Sequence, residues 1–397
     1  MKRRLLDFLV CPIDRTPLDL IVWECSSVIR SSEEIVHAKE LGLDPALFSI
    51  EIETGVLVNR QRKVFFPIYR GIPRMLVFET SVAREFKQKY GERLARELPA
   101  FRLPHETPMP GEETVLRTFS SEWLNYDWDG QAYWAFRPDV VFKSMNFMLD
   151  LARNPVKNRL VLEVGIGIGG IADYMVREEG CELVGIDLSY AVDSAYRHFG
   201  RQPFLHIVQA SAFAPPFRHS IFDLVYSQGV LHHTFSTRTA FEQISKLPKA
   251  GGRLYVWVYS YYDEQRTLTR RALMLMERVI RPVCWRLPEA LQTAVLLPFI
   301  PLYLAYQQLQ VRRRSGYVNF GWREAVHAAR DRFTPRYVSR HTEDEVCDWF
   351  QRAGYGELQC VSRRGRPDFV PVAFLSATAV DGVRFRSERL GDSSCVA

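Results

Sequence analysis

Short apolar runs alternate with amphipathic segments from about residue 119 to 260, and that alternation sets the first expectation for the fold. The runs at 160–164, 182–186, 204–209, 222–227 and 253–259 are short and apolar on both faces, as buried strands are. Helical spacing occupies 169–179, 189–199 and 237–247 between them. Strands alternating with helices predict βαβ units, and hence an α/β fold with a parallel sheet covered on both sides. Ahead of this region, extended runs at 18–23, 55–59 and 64–69 lead to a turn at Gly71 and Pro73. Residues 79–118 begin charged and helix-prone, then carry Pro99, Pro104, Pro108 and Pro110, which reads as a linker. Residues 263–315 read as a long helical insertion. Beyond it, 343–353 has helical spacing with Cys347 and Phe350 on one face, and 357–363 and 370–378 are extended segments suited to antiparallel edge strands. The expected division is a small β-rich domain at 1–78, a linker at 79–118, a core at 119–262, a helical cap at 263–332, and a C-terminal helix and edge strands at 333–397 with a flexible tail.

Composition changes this picture little. A chain of 397 residues suits two or three structural units. With 47% hydrophobic and 25% charged residues it has enough apolar material for a sizeable core. Cysteines 11, 25, 181, 284, 347, 360 and 395 form no CxxC pair, so they read as reduced thiols in a cytosolic protein. Residues 1–4 are basic, but Asp7, Pro12 and Asp14 break the apolar stretch that follows, so no signal peptide is expected.

The chemistry concentrates in residues 161–170, Val-Leu-Glu-Val-Gly-Ile-Gly-Ile-Gly-Gly, an apolar strand running into a glycine-rich turn. Gly165, Gly167 and Gly169 let the backbone turn sharply and let a ligand approach the main chain. Gly165, Gly167 and Gly170 also fit the GxGxxG dinucleotide pattern, so the loop alone leaves a nicotinamide or flavin enzyme open. Glu163, two residues before the first glycine, is unwelcome beside a pyrophosphate but suits an ammonium group. Asp187 ends the next strand, twenty residues after Gly167, where a carboxylate accepts hydrogen bonds from ribose hydroxyls in either case.

With these residues the chain resembles the class I S-adenosylmethionine-dependent methyltransferases, with a core like that of the ubiquinone and menaquinone biosynthesis enzymes. The resemblance covers about 100 residues in five ordered motifs. Residues 160–189 match the first two, 208–217 the third-strand motif, 222–234 the fourth strand and its turn, and 247–257 the glycine turn into the fifth strand. It implies a Rossmann-like sheet and S-adenosylmethionine as cofactor, held by Glu163, Gly165, Gly167, Gly169, Asp187, Leu188, Ser211, Ala212 and Gln228. One departure stands out: where the family commonly has an acid for the adenine amino group, this chain has Ser211, a weaker acceptor. His232 and His233 follow the fourth strand, at the sheet edge where ligands bind. A helix N-terminus would hold such a histidine neutral, so the pair are acid–base candidates. The same pair recurs in the family with unrelated substrates, so a loop-positioning role stands beside that reading. The aromatic run from Phe119 to Trp128, with Tyr133, Trp134 and Phe136, is either a lid over the cofactor or packing between domains.

The N-terminal residues 5–18, 55–58 and 66–75 resemble the small zinc-ribbon-like domain of the activator subunits that pair with tRNA and protein methyltransferases. Relatives that bind zinc use two CxxC pairs. Here Cys11 is present, Asp14 stands at the second place and 59–64 has no cysteine, so no metal is expected and the domain reads as a scaffold within the chain.

The net charge of +6 is matched within residues 264–314 alone, where nine arginines face three glutamates around an uncharged tract at 290–311. That tract approaches a membrane-spanning length, but Pro298 and Pro301 argue against a span. A cap over an apolar substrate, a homodimer interface and a peripheral membrane contact all fit. Nucleic acid is disfavoured, since the arginines flank an apolar tract and do not interleave with aromatics. The expected activity is methyl transfer to an oxygen, carbon or nitrogen of a small apolar or anionic acceptor. A methyltransferase acting on tRNA or protein, and a non-catalytic cofactor-binding regulator, are the alternatives. The expected location is cytoplasmic, with membrane association where the basic tract meets lipid.

Overall fold

The computed structural model describes residues 1–124, 137–260, 268–313, 321–356, 358–360 and 382–390. The chain begins with β1 (Asp19–Ser27), α1 (Ser32–Glu40), β2 (Ile50–Asn59), β3 (Val64–Tyr69) and β4 (Ile72–Pro73). Next come α2 (Ser81–Lys89), α3 (Gly91–Glu97), α4 (Glu112–Leu124) and α5 (Pro138–Leu149). The alternating region follows as β5 (Leu160–Val164), α6 (Gly170–Glu179), β6 (Glu182–Asp187), α7 (Ala191–Phe199), β7 (Leu205–Gln209), β8 (Phe222–Gln228), α8 (Thr237–Ile244) and β9 (Pro248–Tyr259). The last elements are α9 (Leu268–Cys284), α10 (Glu289–Leu296), α11 (Ile300–Arg313), α12 (Trp322–Phe333), α13 (Glu343–Arg352), β10 (Gln359–Cys360) and β11 (Gly382–Glu388). The chain divides into two compact units, the first formed by residues 1–110, 156–226 and 239–253, the second by the remainder.

In the first unit, β8, β5, β6 and β7 lie side by side in that order and run parallel. Their inner residues, such as Val161, Leu162, Leu183, Val184 and Val225, are fully buried, as both-sided coverage requires. Because β5 pairs with β6 on one side and β8 on the other, the sheet changes its winding direction at the carboxyl end of β5. That switch point is where open α/β sheets bind ligands.

The N-terminal residues form a separate four-stranded antiparallel sheet, β1-β2-β3-β4, also in the first unit. The stretch expected as a linker begins as structure: Ala83 and Phe86 of α2 and Leu94 of α3 pack with Val56, Val58, Phe65 and Tyr69 in one core. The prolines misled because they fall after these helices, while Thr80 caps α2 by accepting from the Ala83 N–H.

This small sheet closes the open edge of β7. Arg74 forms a parallel bridge with Gln209, and the Met75 N–H donates to the Gln209 carbonyl at 2.8 Å. The Arg74 guanidinium, 3% exposed, forks onto Asp193 at 3.0 and 2.6 Å and reaches the Gln209 side chain at 3.2 Å. Lys2 donates to the carbonyls of Gly200 and Leu205, and Arg4 pairs with Glu182 through two bonds of 3.0 Å. Gly71, at φ +76°, is needed here: a Cβ would stand 2.1 Å from the Tyr196 hydroxyl.

At the place where metal ligands would be expected, hydrogen bonds join the two loops. Asp14 accepts from Thr16, from Asn59 at 3.1 Å and from Arg62 at 2.9 Å. Burial alone would raise the Asp14 carboxyl, but the bonds from Thr16 and Asn59 hold it well below the usual range. Cys11 is fully buried, and burial pushes its thiol up, so it stays protonated.

The second unit holds β10-β11-β9 through residues 254–259 of β9, with β10 and β11 antiparallel. Of the two expected edge segments, the first is observed only as Gln359–Cys360, and 370–378 lies outside the described residues, as do 125–136 of the aromatic run and the tail. The strand at Gly382–Glu388 was not anticipated. The expected helical insertion is present as α9 to α12, which pack around Cys284, Leu296, Ile300, Ala325, Ala329 and Phe333. At its inner side Glu277, 3% exposed, meets Arg281, Arg332 and Arg340 at 2.9, 2.5 and 2.7 Å.

Removing the Arg74 fork would strand the half-buried Asp193 and unzip the join to β7. Arg74→Ala is expected to lower unfolding stability by about 3 kcal/mol, read by urea denaturation. A change within error would show that the edge closure does not depend on this clasp.

Candidate functional site

The apolar run of β5 is interrupted only by Glu163, which is 3% exposed and sits in register with Gly185 of β6 and Tyr226 of β8. Burial pushes its carboxyl up to about 8; the Tyr226 hydroxyl pulls the other way, and the Asp187 charge adds to the rise. Its Oε2 has no hydrogen-bond partner among the described residues. A buried carboxyl oxygen left without a partner is unfavourable, and a cation arriving there would remove the penalty.

The chain then turns through Gly165, Gly167 and Gly169 at φ of 91°, 53° and 85°, a region that side chains other than glycine's rarely occupy. The N–H groups of Gly165 and Ile166 both donate to the Ile186 carbonyl, stitching the loop to β6. A Cβ at 169 would also crowd Phe199 at 3.1 Å and Ala195 at 3.2 Å, so the glycine lets α6 and α7 approach.

Asp187 at the end of β6 organises both loops. Its Oδ2 accepts from the Gly167 N–H at 3.0 Å, and its Oδ1 from the Ser189 N–H and hydroxyl at 2.8 and 2.7 Å. Burial raises the Asp187 carboxyl, while these bonds favour the charged form. Oδ2, with one internal bond, has capacity left for a hydroxyl donor. Leu188 presents its carbonyl to the Gln209 amide at 3.0 Å. The structure thus brings Glu163, the three glycines, Asp187 and Leu188 to one place, suited to a ligand carrying an ammonium group and a ribose-like diol.

Ser211 and Ala212 follow β7, but the Ser211 hydroxyl already accepts from the Phe213 N–H at 3.1 Å in a local turn. That use of the oxygen further weakens it as the expected acceptor for an adenine amino group. Two participants were missed from sequence. Ser189 was legible, because an Asp-x-Ser spacing favours this side-chain-to-backbone turn. Tyr226 was not, because its approach to Glu163 depends on the register of β5 against β8.

Gln228, His232 and His233 belong to the second unit. Gln228 accepts from the Tyr255 hydroxyl at 2.8 Å. The histidines lie in a single 3₁₀ turn, Leu231–His233, and not at a helix N-terminus as expected. What keeps them neutral is burial. His232 is fully buried, stacks on Tyr259 at 3.7 Å between centroids and has no hydrogen-bond partner at either ring nitrogen among the described residues. Burial, then the charges of His233 and His341, take it well below the usual histidine range. His233 is pushed down to about 4, chiefly by burial, and its Nδ1 lies 3.1 Å from the Tyr337 carbonyl. A carbonyl accepts only, so Nδ1 carries the proton and Nε2 is left as the basic nitrogen. Phe119 packs edge-on against this ring at 5.2 Å between centroids. The geometry therefore separates the pair: His232 stacks on Tyr259, and His233 has its tautomer set by the Tyr337 carbonyl.

Comparison with known proteins gives two family matches, a methyltransferase domain over residues 162–256 and a Trm112p-like protein over residues 2–71. A sarcosine/dimethylglycine N-methyltransferase of Halorhodospira halochloris is 25% identical over 29% of this chain and 42% of its own length. A malonyl-[acyl-carrier protein] O-methyltransferase of Enterobacter lignolyticus is 34% identical over 26% of this chain and 41% of its own. The chain thus spans about two fifths of the length of these curated relatives. Among solved structures, the complex of the Haloferax volcanii Trm112 methyltransferase activator with a putative methyltransferase aligns at a TM-score of 0.40. It is 14% identical, covering 69% of this chain and 98% of that one.

The raised carboxyl of Glu163 makes a prediction about the free protein. A carboxyl near 8 when folded and about 4.5 when unfolded keeps its proton longer in the folded state. Stability is therefore lost as pH rises through that window. Glu163→Gln lacks this loss, so it should match the parent near the unfolded pKa and exceed it by roughly 5 kcal/mol above the folded one. Urea unfolding at both pH values reads it, and a gap that does not change with pH would disprove the assignment.

Proposed function

We propose, from the premise that this chain carries a methyltransferase domain and a Trm112p-like domain, that it is an S-adenosylmethionine-dependent methyltransferase with an activator-like module in the same polypeptide. The observation that carries this reading is the buried Glu163 carboxyl, whose Oε2 lacks a partner among the described residues, beside the Asp187-bound glycine loop. S-adenosylmethionine, when bound, supplies a methyl group activated by a sulfonium sulfur. Glu163 would take the methionine ammonium, and the loop of Gly165, Gly167 and Gly169 would let that part lie against the backbone. Asp187 would hold the ribose hydroxyls, with Leu188, Ser211 and Ala212 as further cofactor contacts. His233, neutral at physiological pH, has an Nε2 free to accept a proton that the acceptor loses on methylation.

The acceptor is proposed as a small molecule, apolar or anionic, methylated at oxygen, carbon or nitrogen. The relatives named above differ in their acceptors, one an amine and one a protein-bound malonyl group, so the sequence match does not choose among them. A tRNA or protein acceptor is the second reading, favoured by the Trm112p-like segment. Against it, that segment uses its own hydrogen bonds on β7 of the same chain. The Asp14 hydrogen-bond knot would do the structural work of a metal there.

Calorimetric titration with S-adenosylmethionine tests the reading. Binding should be lost in Asp187→Ala, and below pH 8 it should release a proton as Glu163 ionises against the incoming ammonium. Heats that depend on the buffer for the parent and not for Glu163→Gln would support the assignment. Binding of NADH with no response to S-adenosylmethionine would sink it.

A further inference from the structure

The insertion in the second unit has two faces of opposite character. Of fourteen large apolar side chains exposed among the described residues, eight lie between 268 and 313, so the exposure is concentrated there. On α9 (Leu268–Cys284) the exposed positions include Arg271, Leu275, Arg278, Val279 and Val283, which fall on one side of the helix. Leu275, Val279 and Val283 are 64%, 65% and 54% exposed. Arg271 and Arg278, the charged members of this stripe, are positive, while Glu277, the acid of this helix, is turned inward onto Arg281, Arg332 and Arg340. α11 continues the pattern with Leu302, 70% exposed.

Glu289–Leu309 is long and apolar enough by composition to cross a membrane. Its fold argues otherwise. The stretch is broken by the 3₁₀ turn Leu297–Phe299, and Leu296 and Ile300 are buried in the core with α12. Gln292 donates to the carbonyls of Cys284 and Leu287 at 3.0 and 3.1 Å. These contacts tie the segment to its own unit at Gln292, Leu296 and Ile300, while Leu291, Val295, Leu297, Leu302 and Leu309 stay exposed.

We propose that the outward face of α9 to α11 lies on an anionic lipid bilayer, parallel to its surface. Leucine and valine side chains would reach the boundary beneath the headgroups, while the arginine stems lie along it and place their guanidinium groups among the phosphates. Charge decides against a second copy of this chain as the occupant, since two such stripes would bring arginines together.

The test is co-sedimentation of the full chain with vesicles of phosphatidylcholine, with and without about 30% phosphatidylglycerol. Binding is expected only with the anionic lipid and should weaken as salt rises. Leu275→Asp with Val279→Asp should lower it about tenfold with an unchanged circular dichroism spectrum. Leu302→Asp, on a different helix, should weaken it in the same direction and guards against misfolding of the first variant. Arg271→Glu with Arg278→Glu should remove the preference for anionic lipid. Absence of sedimentation at low salt would overturn the proposal, as would equal binding by parent and aspartate variants. A dimer in light scattering that Leu275→Asp dissolves would assign the face to a second copy and overturn it too.

Discussion

The first unit depends on how the edge of β7 is closed. A parallel sheet ending in an open strand exposes a row of unpaired donors and acceptors, which invites pairing with other chains. Here the backbone of Arg74 and Met75 takes that position, and the buried Arg74 guanidinium locks it through Asp193 of α7 and Gln209 of β7. Lys2 and Arg4 fix the same segment at the carbonyls of Gly200 and Leu205 and at Glu182. The clasp reaches the ligand loops in few steps, since β7 pairs with β6 and β6 ends at Asp187. The N-terminal sheet is thus part of the frame that positions Asp187.

At the switch point the energetics run the other way. Glu163 is buried without a full set of partners, which opposes folding, while Asp187 alongside is well supplied by Gly167 and Ser189. Two carboxyl groups in one neighbourhood so acquire different states. Burial raises both, Glu163 to about 8, while the bonds from Gly167 and Ser189 favour the charged form of Asp187. Local instability at a site whose surroundings are otherwise satisfied is a common mark of ligand binding.

The second unit shows how burial, rather than helix position, sets histidine chemistry. His232 and His233 are adjacent in sequence and alike in composition of surroundings, yet one is enclosed by Tyr259 and Trp257 and the other is tied to the Tyr337 carbonyl. Only the second has a defined tautomer. The same unit turns its acid, Glu277, inward and its arginine–aliphatic stripe outward, so its outer surface is both apolar and positive.

Much of this was legible in the sequence. Apolar runs placed β5, β6, β7 and β8 to within a residue or two, because a strand buried on both faces has to be apolar throughout. The glycine loop, Glu163 and Asp187 were legible for a related reason: positive φ demands glycine, and a carboxylate inside an apolar run has few structural uses. The tertiary structure alone decided the rest. The prolines after Pro99 hid the fact that α2 and α3 finish the small sheet's core, since proline marks a break and not what packs before it. The strand at Gly382–Glu388 gave no clear signal, because β propensity depends on the neighbours a strand pairs and packs with, here β10 and β9. Which histidine keeps a usable nitrogen, which tyrosine stands beside Glu163, and which face of α9 is left outward all depend on neighbours distant in the chain. Sequence spacing fixes what a local segment can be, and only packing fixes what surrounds it.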